Sequence, residues 1–194
     1  LAPVITAYVA PAMAAPTTGA SQNSQSWLSA QVSVKKATAV DRAGCEQVDL
    51  NEVVERAVRW VAQSAPAHFA LAIDLPPGLR CSGSSGQLQQ VVMNLVQNAC
   101  DALAGRQDPS LTVTGGVDGG MATLHFADNG PGIPAEHLDH LFEPFFTTKP
   151  VGQGTGLGLS ISYSIVDRHG GHLSAANRPQ GGAEFTLTLP LESR

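Results

Sequence analysis

The chain has 194 residues, of which 43% are apolar and 14% are charged, and its formal net charge is −5. This length allows one good hydrophobic core, and the composition excludes an intrinsically disordered chain. The 11 Lys and Arg residues are scattered, so the sequence excludes a basic face for nucleic acid.

The first 46 residues differ from the rest, and we treat 1–46 and 47–194 as separate units. Residues 1–15 are apolar, but they lack a basic start and contain prolines. They are also too short to span a bilayer. We therefore expect no signal peptide and no membrane contact by this segment, although a longer parent protein could be anchored elsewhere. Three irregularly spaced cysteines exclude a disulfide framework and a zinc site, which fits a cytoplasmic location.

Residues 47–103 carry helical and strand patterns. Asp49 with Glu52 forms a capping box ahead of an apolar stripe, which predicts a helix to about Ser64. Alternation over 69–73 predicts a strand. A second apolar stripe predicts a helix over about 85–103.

The rest of the chain predicts a hairpin, two helices and two final strands. The respective ranges are 111–117 with 121–127, then 134–142, 157–168, 173–176 and 183–189. Because hairpin-linked strands dominate, we expect an α+β fold. The specific prediction is a two-layer α/β sandwich, with a mixed, mostly antiparallel sheet of about five strands packed on three helices.

Three polar side chains on the second predicted helix form the first candidate site. Asn94, Asn98 and Asp101 fall within roughly 60° of one another around the helix axis. Amide and carboxylate oxygens are hard ligands suited to Mg²⁺, which needs few protein groups. Taken alone, the triplet would be a solvated helix face, but the motifs downstream favour a ligand site.

A turn after the fifth predicted element contains Asp128, Gly130 and Gly132. A carboxylate at a strand end can accept a hydrogen bond from an exocyclic amine such as that of adenine. The glycines allow the backbone to approach a purine. Taken alone, this segment would be an ordinary turn.

A glycine run at Gly154, Gly156 and Gly158 leads into a helix. Bare backbone N–H groups at a helix start favour phosphate oxygens. No Lys-Ser/Thr pair follows and no strand precedes, so neither a P-loop nor a dinucleotide fingerprint fits. The protein-kinase signatures do not appear either. Leu157 and Leu159 within the run argue against a flexible linker.

Residues 142–149 place three phenylalanines and a proline between the two glycine loops. With Gly152 and Gly154, this segment is typical of a mobile lid whose aromatic rings dock on the core. Lys149 could face phosphate or solvent, and both alternatives stay open.

In this order, the four motifs resemble the N, G1, F and G2 boxes of the ATP-binding domain of bacterial sensor histidine kinases. The likeness is greatest to the nitrogen- and dicarboxylate-sensing branch, and it covers about residues 48–191. It implies the Bergerat-type sandwich shared with DNA gyrase, heat-shock chaperone ATPases and MutL. The motifs occupy residues 94–102, 128–133, 142–149 and 152–160.

The resemblance implies ATP and Mg²⁺ as cofactors and assigns a role to each matching position. Asn98 would coordinate Mg²⁺, Asn94 would contact phosphate or metal, and Asp101 would line the same cleft. Asp128 would bind the adenine amine, and Ile133 and Leu157 would sandwich the ring. The other nucleotide-contacting positions would be Gly130, Gly132, Phe146, Thr148, Lys149, Gly154, Thr155, Gly156, Gly158 and Leu159. Asn94, Asn98 and Lys149 would be the catalytic set.

The same resemblance separates a kinase from a hydrolase. Asn94 stands where ATPase relatives carry a water-activating glutamate, and an amide is no general base. We therefore expect transfer of the γ-phosphoryl group to histidine in a two-component phosphorelay. The alternatives are a nucleotide-binding regulatory module without kinase activity and an ATP hydrolase of the same fold.

The resemblance also implies the partners. No histidine precedes His68, so the acceptor is expected outside this chain, on a dimerisation and phosphotransfer domain. His137 and His140 are expected at the surface rather than as substitute acceptors. Residues 1–46 would be a remnant of the acceptor's helical hairpin or an unrelated leader, partly loop. A response regulator receiver domain would take the phosphoryl group, and the parent protein would be a homodimer.

Overall fold

The computed structural model describes residues 46–62, 69–150 and 154–192. Residues 1–45, the predicted end of the first helix near Ser64, and Gly152 lie outside this description. The helices are α1 (Leu50–Ala62), α2 (Ser85–Ala102), α3 (Ala135–Leu138) and α4 (Gly158–Arg168). The strands are β1 (Glu46–Asp49), β2 (Ala70–Asp74), β3 (Arg80–Gly83), β4 (Ser110–Asp118), β5 (Met121–Asp128), β6 (His172–Asn177) and β7 (Ala183–Pro190).

Five strands form one sheet in the order β2-β4-β5-β7-β6. β2 runs parallel to β4, and the other three pairings are antiparallel. The β4–β5 and β5–β7 registers pair Val113 with Phe126 and Phe126 with Phe185. The predicted α+β class and the mixed, mostly antiparallel five-stranded sheet are confirmed.

The core lies between this sheet and the three long helices. Strand residues alternate between buried and half-exposed, as in β5 and β7, which is the pattern of a sheet covered on one face. The buried set includes Val54, Leu95, Phe126, Ile165 and Leu187. Across the described ranges, no helix is long and apolar enough to cross a bilayer.

A small second sheet was not predicted from the sequence. β1 and β3 pair antiparallel, with Val48 opposite Cys81. Both strands have only four residues, which is too short for a clear alternating pattern. The predicted cap before α1 is present in modified form, because the Asn51 N–H donates to Asp49 Oδ1 at 3.0 Å.

The predicted helix over 134–142 is wrong in length. Only Ala135–Leu138 is helical, and the chain continues in turns. The N–H groups of His140 and Glu143 donate to carbonyls three residues earlier, and Pro144 cannot continue a helix. This correction matters because the turns place the aromatic segment that follows.

His169 joins the end of α4 to the start of α2. Its Nδ1 donates to the Ile165 carbonyl at 2.7 Å, and its Nε2 accepts the Ser84 N–H at 3.1 Å. The carbonyl accepts only and the N–H donates only, so the two partners select one neutral tautomer. The ring packs directly against Gly83, where an added Cβ would lie 2.3 Å from His169 Cδ2.

We expect Gly83→Ala to destabilise the domain by about 1–3 kcal/mol, because a ring held at both nitrogens cannot move aside freely. Chemical denaturation measures the change. Gly86→Ala is the matched control, since nothing lies within 4 Å of its added Cβ. That control should be neutral or stabilising by up to about 1 kcal/mol, because alanine favours a helix. Equal stability of the two variants would contradict the proposed role of the His169 contact.

Candidate functional site

A cavity of about 960 Å³ opens between α2, the loop after β5 and the loop before α4. Its size suits a small-molecule or cofactor site. All four motifs contribute to its wall. The predicted site residues that line it are Asn94, Asn98, Asp101, Asp128, Gly132, Ile133, Phe146, Thr148, Lys149, Gly154, Thr155, Gly156, Gly158 and Leu159.

Two predicted site residues are not part of that wall. Gly130 is buried behind Asp128, and its N–H donates to Asp128 Oδ1 at 2.7 Å. Leu157 precedes α4 with near-helical backbone angles. Residues two apart on a helix point roughly 200° away from each other, so Leu157 and Leu159 cannot both face the cavity. Leu159 faces it, which makes Leu159 the better candidate for the ring contact assigned to Leu157.

Asp128 is a buried carboxylate with one oxygen held by the protein. Only 3% of the residue is exposed. Oδ1 accepts the N–H groups of Gly130 and Ala183, at 2.7 and 3.1 Å. Within the described residues no donor reaches Oδ2, and Asp128 lines the cavity. Oδ2 is therefore the atom that can accept a hydrogen bond from a ligand.

The turn between β6 and β7 fixes the loop beside Asp128, and the sequence did not predict this. Asn177 Oδ1 accepts the Ile133 N–H at 2.7 Å, and its Nδ2 donates to the Ile133 carbonyl at 2.6 Å. Arg178 donates to the Asp128 carbonyl at 2.6 Å. In the sequence, Asn177 and Arg178 have only the composition of an ordinary turn.

Gly182 belongs to the same arrangement. It has a φ of 88°, and an added Cβ would lie 2.0 Å from the Asp128 carbonyl oxygen. Only glycine fits this close approach with a positive φ. The turn residues therefore fix the backbone at Asp128, and the Ala183 N–H that follows the turn holds its carboxylate.

Asn94 connects α2 to the start of α4. Its Nδ2 lies 3.1 Å from both the Gly158 carbonyl oxygen and Ser162 Oγ. Because a carbonyl only accepts, this contact identifies the nitrogen and leaves Oδ1 as the free acceptor. An amide oxygen can bind a metal ion or accept a hydrogen bond from water, but it cannot donate to a phosphate oxygen, which is also an acceptor. Ser162, fully buried on α4, was not predicted.

Lys149 does not extend into solvent. Its ammonium donates to Asp101 Oδ2 at 2.5 Å and lies 3.4 Å from Asn98 Oδ1. Gln97 donates to the other Asp101 oxygen at 2.8 Å. Residues 142–149 are therefore tied to α2 by an ion pair at the cavity wall.

The three phenylalanines of this segment have different surroundings. Phe142 packs against the core, and Phe146 lines the cavity. Phe145 is 74% exposed, so the expectation that all the aromatic rings dock on the core is wrong for it. It has a φ of 68°, which is costly for a non-glycine residue. Its N–H donates to the Gly156 carbonyl at 2.9 Å, which ties the two loops together.

His137 contributes to the cavity wall, which corrects its expected surface position. Its ring meets that of Phe146 edge-on, with centroids 5.4 Å apart. His140 is exposed, and the hydrogen bond and charge of Glu143 raise its pKa. Burial raises the pKa of the Cys100 thiol to about 11, so that residue stays a neutral thiol at pH 7.

We expect Asn177→Ala to speed hydrogen exchange of the Ile133 amide, because its acceptor is lost. Two exposed hydrogen bonds should contribute about 1 kcal/mol in total to loop stability. Exchange measured residue by residue by NMR tests this. Gln180→Ala, in the same turn and without a side-chain hydrogen bond among the described contacts, is the control. Unchanged hydrogen exchange of the Ile133 amide in Asn177→Ala would contradict the role of Asn177 in holding this loop.

The comparisons with known proteins agree with this geometry. Residues 83–193 match the model of the histidine kinase-, DNA gyrase B-, and HSP90-like ATPase family. The chain is 36% identical over 151 residues to the sensor histidine kinase ZraS of Klebsiella oxytoca, covering 77% of this chain and 32% of that protein. It is 40% identical over 142 residues to the C4-dicarboxylate transport sensor protein DctB of Rhizobium meliloti, covering 72% and 22%. The chain thus spans about a third or less of these relatives.

Solved structures give the same result. The catalytic domain of histidine kinase ThkA matches with a TM-score of 0.68 at 31% identity, covering 75% of this chain and 95% of that domain. ThkA in complex with the response regulator protein TrrA matches with a TM-score of 0.65 at 26% identity, covering 76% and 42%. The chain belongs to the histidine kinase-, DNA gyrase B- and HSP90-like ATPase family, and its relatives there are sensor histidine kinases.

Proposed function

We propose that residues 47–194 bind Mg·ATP and transfer its γ-phosphoryl group to a histidine outside this chain. The observation that carries the proposal is one cavity with a purine acceptor at one end and an amide-lined phosphate region at the other. A cytoplasmic location follows from the need for ATP.

The two ends of the cavity are separated along α2. Gly130, beside Asp128, lies against Ala102, because an added Cβ there would be 3.6 Å from the Ala102 Cβ. Asn94 lies beside the start of α4. Eight residues of helix separate the two positions by about 12 Å, a span comparable to that of a nucleoside triphosphate.

The purine end would hold adenine through one hydrogen bond and apolar contacts. Asp128 Oδ2 is the acceptor for the exocyclic amine, because its other oxygen is already occupied by two N–H groups. Ile133 and Leu159 offer apolar contact from the two loops. Asn177 acts as a positioning residue, since it fixes Ile133 on both its N–H and its carbonyl.

The phosphate end would use backbone and amide groups. Gly156 and Gly158 stand at the start of α4, where backbone N–H groups and the helix dipole favour anions. Asn98 Oδ1 and Asn94 Oδ1, about one helical turn apart on α2, would suit Mg²⁺, because neutral amide oxygens are hard ligands. When bound, Mg²⁺ would neutralise phosphate charge during transfer.

Transfer is favoured over hydrolysis because, among the described residues, the phosphate end has no free carboxylate to activate water. The carboxylates that line the cavity, among the described residues, are Asp101 and Asp128. Asp101 is paired with Lys149 and Gln97, and Asp128 lies at the purine end. Asn94 is an amide, and its Nδ2 is hydrogen-bonded to residues of α4. A neutral imidazole is nucleophilic near pH 7 without a strong base.

The partners follow from the relatives. ThkA has been solved in complex with the response regulator protein TrrA, and ZraS and DctB, to which the chain is similar, are sensor proteins. We therefore assign this domain a histidine-bearing dimerisation domain as phosphoacceptor and a receiver domain as the final recipient. The parent protein would be a homodimer, with residues 1–46 outside the catalytic domain.

In a mixture with γ-labelled ATP, Mg²⁺ and a separate histidine-bearing hairpin domain, we expect label on that hairpin. An acceptor domain with its histidine changed to glutamine is the control and should stay unlabelled. Without acceptor, phosphate release should remain near background. Steady release without acceptor would identify a hydrolase instead. Nucleotide binding with no transfer would indicate a regulatory module.

We expect Asn98→Ala to weaken Mg·ADP binding by roughly tenfold or more, because a metal ligand is lost. Affinity measured in EDTA should change little. Isothermal titration calorimetry with and without Mg²⁺ gives both values. Gln90→Ala, exposed on α2 and outside the cavity wall, is the matched control. Equal loss of affinity in both conditions would remove Asn98 from the metal role.

A further inference from the structure

Lys149 crosses the phosphate end of the cavity from the glycine loop to α2. Its stem lies along Gly154, where an added Cβ would be 3.1 Å from both Cβ and Cδ of the lysine. Its ammonium reaches Asp101 Oδ2 and Asn98 Oδ1. The lysine therefore bridges the two walls between which the phosphates would lie.

The surrounding contacts hold this bridge in one arrangement. Gln97 orients the Asp101 carboxylate by donating to Oδ1 at 2.8 Å. The Lys149 N–H donates to Thr147 Oγ1 at 3.2 Å. The side chains of Lys149 and Asp101 are 35% and 38% exposed. An isolated ion pair with this exposure contributes little to the stability of the fold. Any functional effect of the pair therefore comes from the position of the ammonium beside Asn98 and Asp101.

The ammonium and a magnesium ion at Asn98 would oppose each other electrostatically. A metal bound to Asn98 Oδ1 at its usual distance would be at most about 5.5 Å from Nζ, given the 3.4 Å contact. Two positive charges that close repel each other, and solvent screens that repulsion only partly because the lysine side chain is 35% exposed. Lys149 would therefore have to leave Asn98 before a metal could reach the amide oxygen.

We infer that Lys149 is a built-in cation that competes with the nucleotide's metal ion for the oxygens of α2. Without nucleotide, its ammonium occupies these oxygens and holds residues 145–149 against α2. When the metal–nucleotide complex enters, the ammonium moves from Asn98 and Asp101 towards the phosphates. This inference rests on the proposed function, because it needs a nucleotide that brings a metal.

The competition predicts how metal dependence changes in Lys149→Met. In wild type, the lysine partly replaces the metal when the metal is absent and opposes it when it is present. Removing the charge should weaken ADP binding in EDTA and relieve the competition in Mg²⁺. Both effects raise the ratio of the dissociation constant in EDTA to that in Mg²⁺, by roughly tenfold.

Calorimetric titration of ADP into wild type, Lys149→Met and Arg106→Met, each with EDTA and with Mg²⁺, measures this ratio. Arg106→Met is the matched control, because it removes one positive charge from an exposed residue outside the cavity wall. Its ratio should equal that of wild type. A ratio in Lys149→Met that is unchanged or lower overturns the competition, including when both affinities fall together. Wild type that binds no ADP in either condition refutes the proposed function instead.

The contact itself is tested without nucleotide. Hydrogen exchange of the Phe146 and Lys149 amides should be faster in Lys149→Met and in Asp101→Asn than in wild type. The double variant should add little to either single change, because both remove the same ion pair. Unchanged exchange in both single variants would overturn the hold on residues 145–149, independently of any nucleotide result.

Discussion

The site depends on how α2 is joined to α4. Asn94 bonds the Gly158 carbonyl and Ser162 near the start of α4, and His169 bonds Ser84 from the other end. These side-chain contacts lie at opposite ends of α4 and fix the position of α4 relative to α2. The bare N–H groups before α4 therefore face the amide side of α2 at a set distance. Without this junction the four motifs would not share one cavity.

Most of the fold could be predicted because it follows from local periodicity. β5 and β7 bury their alternating apolar residues, and α2 and β4 bury most of theirs. The exceptions lie at the element ends, where Ala102 is exposed and Val117 is 57% exposed. Long, strongly periodic segments are the most reliable to predict. β1 and β3 were not predicted because a strand of four residues is too short to show a clear alternation of apolar and polar residues. The predicted helix over 134–142 is too long because Leu138 and Leu141 have helical spacing, whereas after Leu138 the chain makes turns closed by hydrogen bonds between residues three apart.

The site could be predicted as a set of segments, but not as a set of contacts. Motif order placed fourteen of the sixteen expected residues in the cavity wall. The contributions of Asn177, Arg178 and Ser162 depend on hydrogen bonds that span 44 to 68 positions in the sequence. No local pattern contains such information. The choice between Leu157 and Leu159 likewise depended on the rotation of α4, which spacing alone does not determine.

The charge of the site is compatible with the proposed binding of a polyanion by a chain whose net charge is −5. The wall of the phosphate end carries neutral amides from Asn94 and Asn98, and Lys149 balances the carboxylate of Asp101. A carboxylate in place of Asn94 would both repel phosphate and supply a base for water. In the proposed site, neutral ligands would instead leave the full charge of a metal to act on the phosphates. An amide rather than a carboxylate at position 94 therefore removes the base and also makes the electrostatic potential more favourable for the anion. Phosphoryl transfer and tight nucleotide binding are thus compatible in this cavity.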